Sequence, residues 1–264
     1  MRRSMGEWDA QAILTESDAW HWTPPDAITV QTDEVHFYVK DMAATVIRAE
    51  HPTCRGATGD TEKLIRRVAD LARRQGADRL HWDVGPRTQP ADLADVLTKL
   101  GGEATATLDI CAYDLTRGAP DIPVPGDVTA RPVANRQDLR DMLIASALAW
   151  GRDAPTDDEI ERQSATLESD EPGYFVAFHA GQPAGGGGYT RAGKVARLWG
   201  AGVAPAFRGR GVYRGLLAAR IDDAVARGLT LALVHANVTT SAPILRRLGF
   251  TAYGRRRIYT LLIR

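Results

Sequence analysis

The sequence predicts an α/β protein made of two consecutive domains, 1–120 and 121–264. Three observations carry that expectation. Short runs of alternating apolar residues recur between segments whose apolar residues lie three and four apart, the signatures of strands and helices. The stretch RGAPDIPVPG over 117–126 holds three prolines and two glycines, a linker composition. Sliding the first half by 152 residues lays Gly76 on Gly228, Gly59 on Gly211, Ala57 on Gly209 and Gly56 on Arg208; after a four-residue difference, Leu100-Gly101-Gly102 falls on Leu248-Gly249-Phe250. A chain of 264 residues also suits two domains of about 100–200 residues each.

Residues 1–26 read as irregular or helical, and Trp8, Trp20 and Trp22 suggest a segment packed onto a domain. Asp33–Lys40, with Val35, Phe37 and Val39 alternating, and Ala44–Ala49 read as strands. Glu62–Gln75 reads as a helix, capped by Asp60 or Thr61, with Leu64, Ile65, Val68 and Leu71 or Ala72 on one face and Gly76 at its end. A strand (Arg79–Val84), a helix (Asp92–Leu100) and a strand (Thr105–Leu115) complete the first half. In the second half, strand 127–133 precedes helix 135–150, helix 156–169 and a hairpin over 174–190. Strand 196–203, helix 212–227, strand 229–235, helix 240–248 and a last pair of strands through 264 end the chain.

Composition narrows the function classes. The net charge is zero, but residues 1–126 carry −6 and residues 127–264 carry +6. A positive second half would steer an anionic ligand. The charge is diffuse and not interleaved with aromatics, so no nucleic-acid partner is expected. No apolar run reaches the roughly 18–20 residues that cross a bilayer, and Arg2-Arg3 is not followed by a signal-peptide core. A cytoplasmic protein without a membrane partner is expected. Cys54 and Cys111 share no metal-ligand spacing and read as reduced thiols, and no metal is expected. The 29 Arg against four Lys read as genome composition.

The stretch with chemical content is Leu198–Leu217, LWGAGVAPAFRGRGVYRGLL. An apolar strand ends at Pro205, Arg208-Gly209-Arg210-Gly211 turns the chain, and a helix begins at Val212. Glycines let backbone N–H groups converge, and the first helical turn adds unpaired N–H groups aligned with its dipole. Two arginines in the turn suit a pyrophosphate. Neither G-x-x-x-x-G-K-[ST] nor G-x-G-x-x-G fits, since no Lys follows a loop glycine and Gly215 falls one place late.

This stretch resembles the coenzyme A pyrophosphate loop of the GCN5-related N-acetyltransferases (GNAT): a strand with V-x-P, then [QR]-x-x-G-x-[GA], then a helix. Val203, Pro205, Gly209 and Gly211 match; Ala206 takes the leading [QR] place, and Arg208 stands two residues on. Asn237 and Ser241–Phe250, ending Leu248-Gly249-Phe250, resemble the family's closing helix N-x-x-A-x-x-L-Y-x-K-x-G-F, with Leu245 at the tyrosine position. The element order over 127–264 is that of the family. The resemblance implies two acyl-CoA N-acyltransferase-like domains, each a mixed, mostly antiparallel sheet flanked by helices. The first is a decayed copy without the loop arginines, and only the second is expected to bind acetyl-CoA.

What the resemblance implies chemically is direct transfer of an acetyl group from acetyl-CoA to an amine of a small-molecule acceptor, by a monomer or homodimer. Ala201, Gly202, Val203, Arg208, Gly209, Arg210, Gly211, Val212, Tyr213 and Asn237 would contact the coenzyme. A splay of strand 196–203 would pair with pantetheine, and a backbone N–H near Ala201–Val203 would polarise the thioester. Val195–Val203 contains no Asp or Glu to serve as base. His235 has a suitable ordinary pKa, though a strand-end histidine bonded to backbone is the commoner outcome. Tyr253 and Tyr259 are candidate proton donors, or core aromatics. Asp157, Asp158, Glu159 and Glu161 stand at the acceptor border but read first as a helix cap. Trp150-Gly151-Arg152 lines the acceptor site or ends a helix, and Arg255-Arg256-Arg257 reads as a solvated turn. A second reading, a non-catalytic acyl-CoA-binding or regulatory protein, rests on Ala206, Leu245 and the missing carboxylate.

Overall fold

The computed structural model describes residues 8–24, 27–32, 35–49, 60–168 and 173–263. The chain groups into two compact units. One comprises Ala10–Ile110, Ala236–Pro243 and Ala252–Arg264; the other comprises Met1–Asp9, Cys111–His235 and Ile244–Thr251. Gly56, Ala57 and Gly59 of the internal match, and Cys54, lie outside the described residues.

The first unit holds α1 (Ala10–Asp18), β1 (Ile28–Gln31), β2 (Val35–Lys40), β3 (Ala43–Ala49), α2 (Asp60–Arg74), β4 (Arg79–Val84) and α3 (Leu93–Lys99). It also holds Glu103–Ile110 of β5 (Glu103–Asp114). Its strands run in the order β1-β2-β3-β4, followed by the chain's last strand and then β5. β1, β2 and β3 pair antiparallel, and β3 pairs with β4 in parallel. The helical face expected on α2 is present: Leu64, Ile65, Val68 and Ala72 are buried against Phe37, Val46, Leu80, Trp82, Leu93 and Leu97. Thr61 is buried and its hydroxyl donates to Asp92 Oδ1 at 2.6 Å, tying the start of α2 to the residue before α3.

The second unit holds the rest of β5, then β6 (Val128–Pro132), α4 (Arg136–Trp150), α5 (Asp157–Ser164), β7 (Tyr174–His179), β8 (Gln182–Ala192), β9 (Val195–Val203) and α6 (Val212–Ala226). β10 (Leu231–Asn237) comes next, His235 being its last residue in this unit. The strand order here is β5-β10-β9-β8-β7-β6. Every pair from β6 to β9 is antiparallel, and β9 with β10 is parallel. α7 (Ser241–Arg247) and β11 (Thr251–Leu262) end the chain. Of the three tryptophans expected to pack onto a domain, Trp8 donates its indole N–H to Thr230 Oγ1 at 3.1 Å, whereas Trp22 is 66% exposed.

The internal match is visible in the backbone. In each unit an antiparallel strand pair leads into a long helix and then a parallel strand: β2-β3-α2-β4 and β8-β9-α6-β10. The turn glycines agree in conformation, with φ of 81° at Gly76 and 73° at Gly228, and 88° at Gly101 and 89° at Gly249.

Two expectations need correction. The last strand pair is one strand, β11, and it pairs antiparallel with β4, Arg257 facing Val84 and Leu262 facing Arg79. Ala252–Arg264 thus groups with Ala10–Ile110, whereas a division at 120/121 puts it with the second half. Arg255-Arg256-Arg257 lies within that strand and is no solvated turn. Arg256 is buried: its Nε donates to both carboxylate oxygens of Asp83 at 2.9 and 3.0 Å, and its Nη1 donates to Ser17 O and Oγ. A buried guanidinium needs such a partner set, because desolvation otherwise exceeds its Coulombic gain.

His81 on β4 is half-buried, with Nδ1 3.0 Å from Thr260 Oγ1. Burial, then the nearby Arg79 charge, lowers its pKa below the ordinary imidazole value. The unfolded chain therefore takes up a proton that the folded chain resists, and stability falls as pH drops below about 6.5. Thermal melts at about pH 7 and about pH 5 are expected to show a smaller acid loss in H81N than in the wild type. Equal losses would contradict the assignment.

Candidate active site

The site is built by β9 and by the turn and helix after it. β9 is paired with β10 only from Val195 to Leu198, the last contact being Leu198 with Val234. Its other edge stays paired with β8 through Val203. Between Trp199 and Gly202 the β8 register shifts: Gly188 faces Trp199 and Gly186 faces Gly202, so Gly187 stands opposite both Gly200 and Ala201. This is a β-bulge, with Gly200 in the left-handed region at φ 66°. From Trp199 to Val203, therefore, the edge of β9 that faced β10 has no strand partner among the described residues.

Four consecutive glycines on β8 make the bulge possible by leaving space. A Cβ on Gly186 would stand 2.6 Å from Ser146 Oγ and 2.8 Å from Met142 Cγ, both on α4. One on Gly185 would stand 3.1 Å from Val212 and 3.2 Å from Leu216, both on α6. Successive strand residues point to opposite faces, so α4 and α6 close on β8 from opposite sides. One on Gly187 would meet Ala201 Cα at 3.0 Å, and one on Gly188 the Trp199 ring at 2.4 Å. Gly202 is equally confined, by Ala149 Cβ at 2.8 Å and Trp150 Nε1 at 3.0 Å. Trp150 is nonetheless 57% exposed, so its indole both ends α4 and flanks the open part of β9. Trp199 meets Tyr174 edge-on, centroids 5.4 Å apart.

After Val203 a short 3-10 turn, Pro205–Phe207, leads to Arg208. Its guanidinium donates to Val203 O at 3.2 Å and Ala149 O at 3.1 Å, which pins the loop to the ends of β9 and α4. Gly209 and Gly211 both have positive φ, 78° and 84°. Gly211 caps α6 without a side-chain hydrogen bond, and the first turn holds no acidic residue. Val212, Tyr213 and Arg214 thus begin a helix whose N–H donors meet no side-chain cap. Arg210 is exposed and has no ion-pair or hydrogen-bond partner among the described residues. Arg214 Nη2 lies over Gly211, 3.2 Å from where a Cβ would stand. Tyr213 is largely buried, and burial raises its phenol pKa.

The remaining candidates are dispersed. His235 is half-buried on β10, next after Val234, the last residue paired with β9. Asn237 groups with the other unit, and its Oδ1 accepts from Thr239 N at 2.9 Å and Thr239 Oγ1 at 2.7 Å. Tyr253 and Tyr259 lie on β11 in the first unit, Tyr259 inside its core. Thr156 and Glu159 form a capping box on α5; Asp157 bonds Arg140, and Glu161 pairs with Arg136 at 3.3 Å. Asp157, Glu159 and Glu161 are thus engaged in capping or ion pairs. Leu245 is fully buried.

These elements are those of an acyl-CoA N-acyltransferase fold. Residues 137–250 match the Acetyltransferase (GNAT) family, so the chain carries a GNAT domain over that span. Among solved structures, a GCN5-related N-acetyltransferase from Sphaerobacter thermophilus superposes with a TM-score of 0.67 at 21% identity, over 87% of this chain and 77% of that one. A GCN5-related N-acetyltransferase from Kribbella flavida gives 0.62 at 18%, over 97% and 96%. A tandem GNAT protein from the clavulanic acid biosynthesis pathway gives 0.66 at 18%, over 98% and 91%. No curated protein sequence matches significantly. At these identities the structures establish the fold: two GNAT-like units, each a mixed, mostly antiparallel sheet with helices.

Sequence reasoning located the loop but missed the tight packing beneath it. Four glycines in a strand do signal close approach, and Arg220, set among Leu216, Leu217, Ile221 and Ala224 on a buried face, was a visible exception to the apolar pattern.

Proposed function

We propose that the second unit binds acetyl-CoA and transfers its acetyl group directly to an amine of a small molecule. One observation carries the reading: the free edge of β9 from Trp199 runs into an uncapped helix start flanked by Arg208, Arg210 and Arg214. Such a start accepts the pyrophosphate of coenzyme A, and Gly209 adds no side chain to the approach. The backbone of Trp199–Val203 offers donors and acceptors to the amides of the pantetheine arm. When bound, the thioester supplies an activated acyl group. An N–H near Ala201–Val203 polarises its carbonyl, and the loop and bulge fix it in place. The attacking amine has to be uncharged, and His235, next to the parting of β9 and β10, is the candidate to hold its proton.

The non-catalytic reading draws on Leu245, whose buried side chain brings no hydroxyl to the place of the family's tyrosine. Turnover separates the two readings. Slow acetyl-CoA hydrolysis that rises with pH and is lost in H235A supports the enzyme; tight binding without turnover across a broad amine panel supports the binding protein.

Arg210→Ala gives a selective test. With no partner to lose, the variant is expected to melt within about 0.5 kcal/mol of the wild type. Its acetyl-CoA affinity is expected to fall about tenfold through loss of a charge-assisted contact. Unchanged affinity by calorimetry would remove Arg210 from the site.

A further inference from the structure

Arg220 is the largest of the fully buried side chains, 2% exposed in the middle of α6. Its Nε donates to Leu216 O in its own helix at 2.9 Å. Its Nη1 reaches two strand carbonyls, Gly188 O at 3.3 Å and Trp199 O at 3.5 Å. Among the described residues no carboxylate pairs with it; the ionisable neighbour acting on it is Tyr213. Burial lowers its pKa to about 10, which leaves it a cation at neutral pH.

The placement is specific. Gly188 and Trp199 face each other across β8 and β9, and the bulge begins immediately beyond them. β9 loses β10 at the same level, after Leu198. Two carbonyl oxygens from facing strands that converge on one nitrogen repel each other. A cation between them offsets that repulsion, while an apolar side chain would remove the charged donor that both oxygens share. The Trp199–Gly200 peptide, held by its oxygen, is followed directly by Gly200 in its left-handed conformation. A guanidinium on that oxygen also polarises the peptide and strengthens its N–H as a donor.

We propose that Arg220 is a positioning residue for the pantetheine arm: by holding the Gly188 and Trp199 carbonyls it fixes the Gly200–Ala201 bulge and so presents the free edge of β9. The inference rests on the acetyl-CoA reading and concerns a residue that touches no ligand. It separates two parts of one site, the loop that takes the pyrophosphate and the strand edge that takes the arm.

The test is calorimetric titration of the full chain with coenzyme A and with ADP, which carries a pyrophosphate without the arm. In R220M, coenzyme A affinity is expected to fall about tenfold or more while ADP affinity changes less than about twofold. R220K keeps the charge and one contact, so it should recover part of the difference; it also supplies the comparison if R220M does not fold. A parallel fall for both ligands would mean that Arg220 only supports the scaffold, and unchanged affinities would mean that it does not set the edge. Either overturns the proposal. A wild-type chain that binds neither ligand fails the acetyl-CoA reading itself, and this proposal with it.

Discussion

Gly211→Glu is expected to lower acetyl-CoA affinity by at least about a hundredfold, more than about 2.7 kcal/mol. Three effects act together. Gly211 has φ 84°, a conformation that costs a non-glycine residue about 1–3 kcal/mol. Any Cβ there would stand 2.6 Å from Pro125 Cδ and Cγ, so the linker or the loop has to move. The added carboxylate then sits at the helix N-terminus and takes the place of the anion that the bare N–H groups would receive. The first two effects act on folding and the third on binding, so thermal melting must accompany the titration. Gly211→Ala isolates the first two. A G211E chain that melts like G211A and still binds acetyl-CoA with wild-type affinity would show that the loop is not the phosphate site.

Gly186→Val is expected to cost about 3 kcal/mol or more, the upper end for overpacking, and to impair coenzyme binding by lifting α4. The clash is with Ser146 Oγ at 2.6 Å and Met142 Cγ at 2.8 Å and Sδ at 3.0 Å. Met142 is 3% exposed in the cluster of Leu139, Ile160, Val176 and Phe178, so its side chain has little room to retreat. Gly173→Ala is the control. Among the described residues nothing lies within 4 Å of its Cβ position, and a change within about 0.5 kcal/mol is expected there. Denaturant unfolding of both variants measures the contrast. A G186V chain as stable as G173A would mean that α4 does not sit tightly on β8.

Much of this fold could be read from the sequence because its elements carry local signals. Asn135, predicted to open α4, accepts from Asp138 N at 2.9 Å. Thr156 and Glu159 close the capping box of α5, and Gly76 and Gly228 end their helices in matching conformations. The Arg208–Gly211 turn and the helix after it are likewise local. What stayed hidden is pairing at a distance. An alternating strand names its faces but not its partner, so nothing in Thr251–Leu262 announces that it lies on β4. The same blindness turned Arg256 into a surface charge, because its partners Asp83 and Ser17 lie far back in the chain. Gly185–Gly188 was legible as part of a hairpin strand, but its purpose needs the positions of α4 and α6. The base for the amine has no local signature, and β9 carries none of the acidic residues that would supply one.

The most direct test of the central claim is calorimetric titration of the full chain with acetyl-CoA and with coenzyme A. The open strand edge and uncapped helix start in the second unit predict saturable binding near one equivalent, removed by G211E. Binding of two equivalents would contradict the assignment of a single site, and no binding would leave an acyltransferase fold without the coenzyme that the reading gives it.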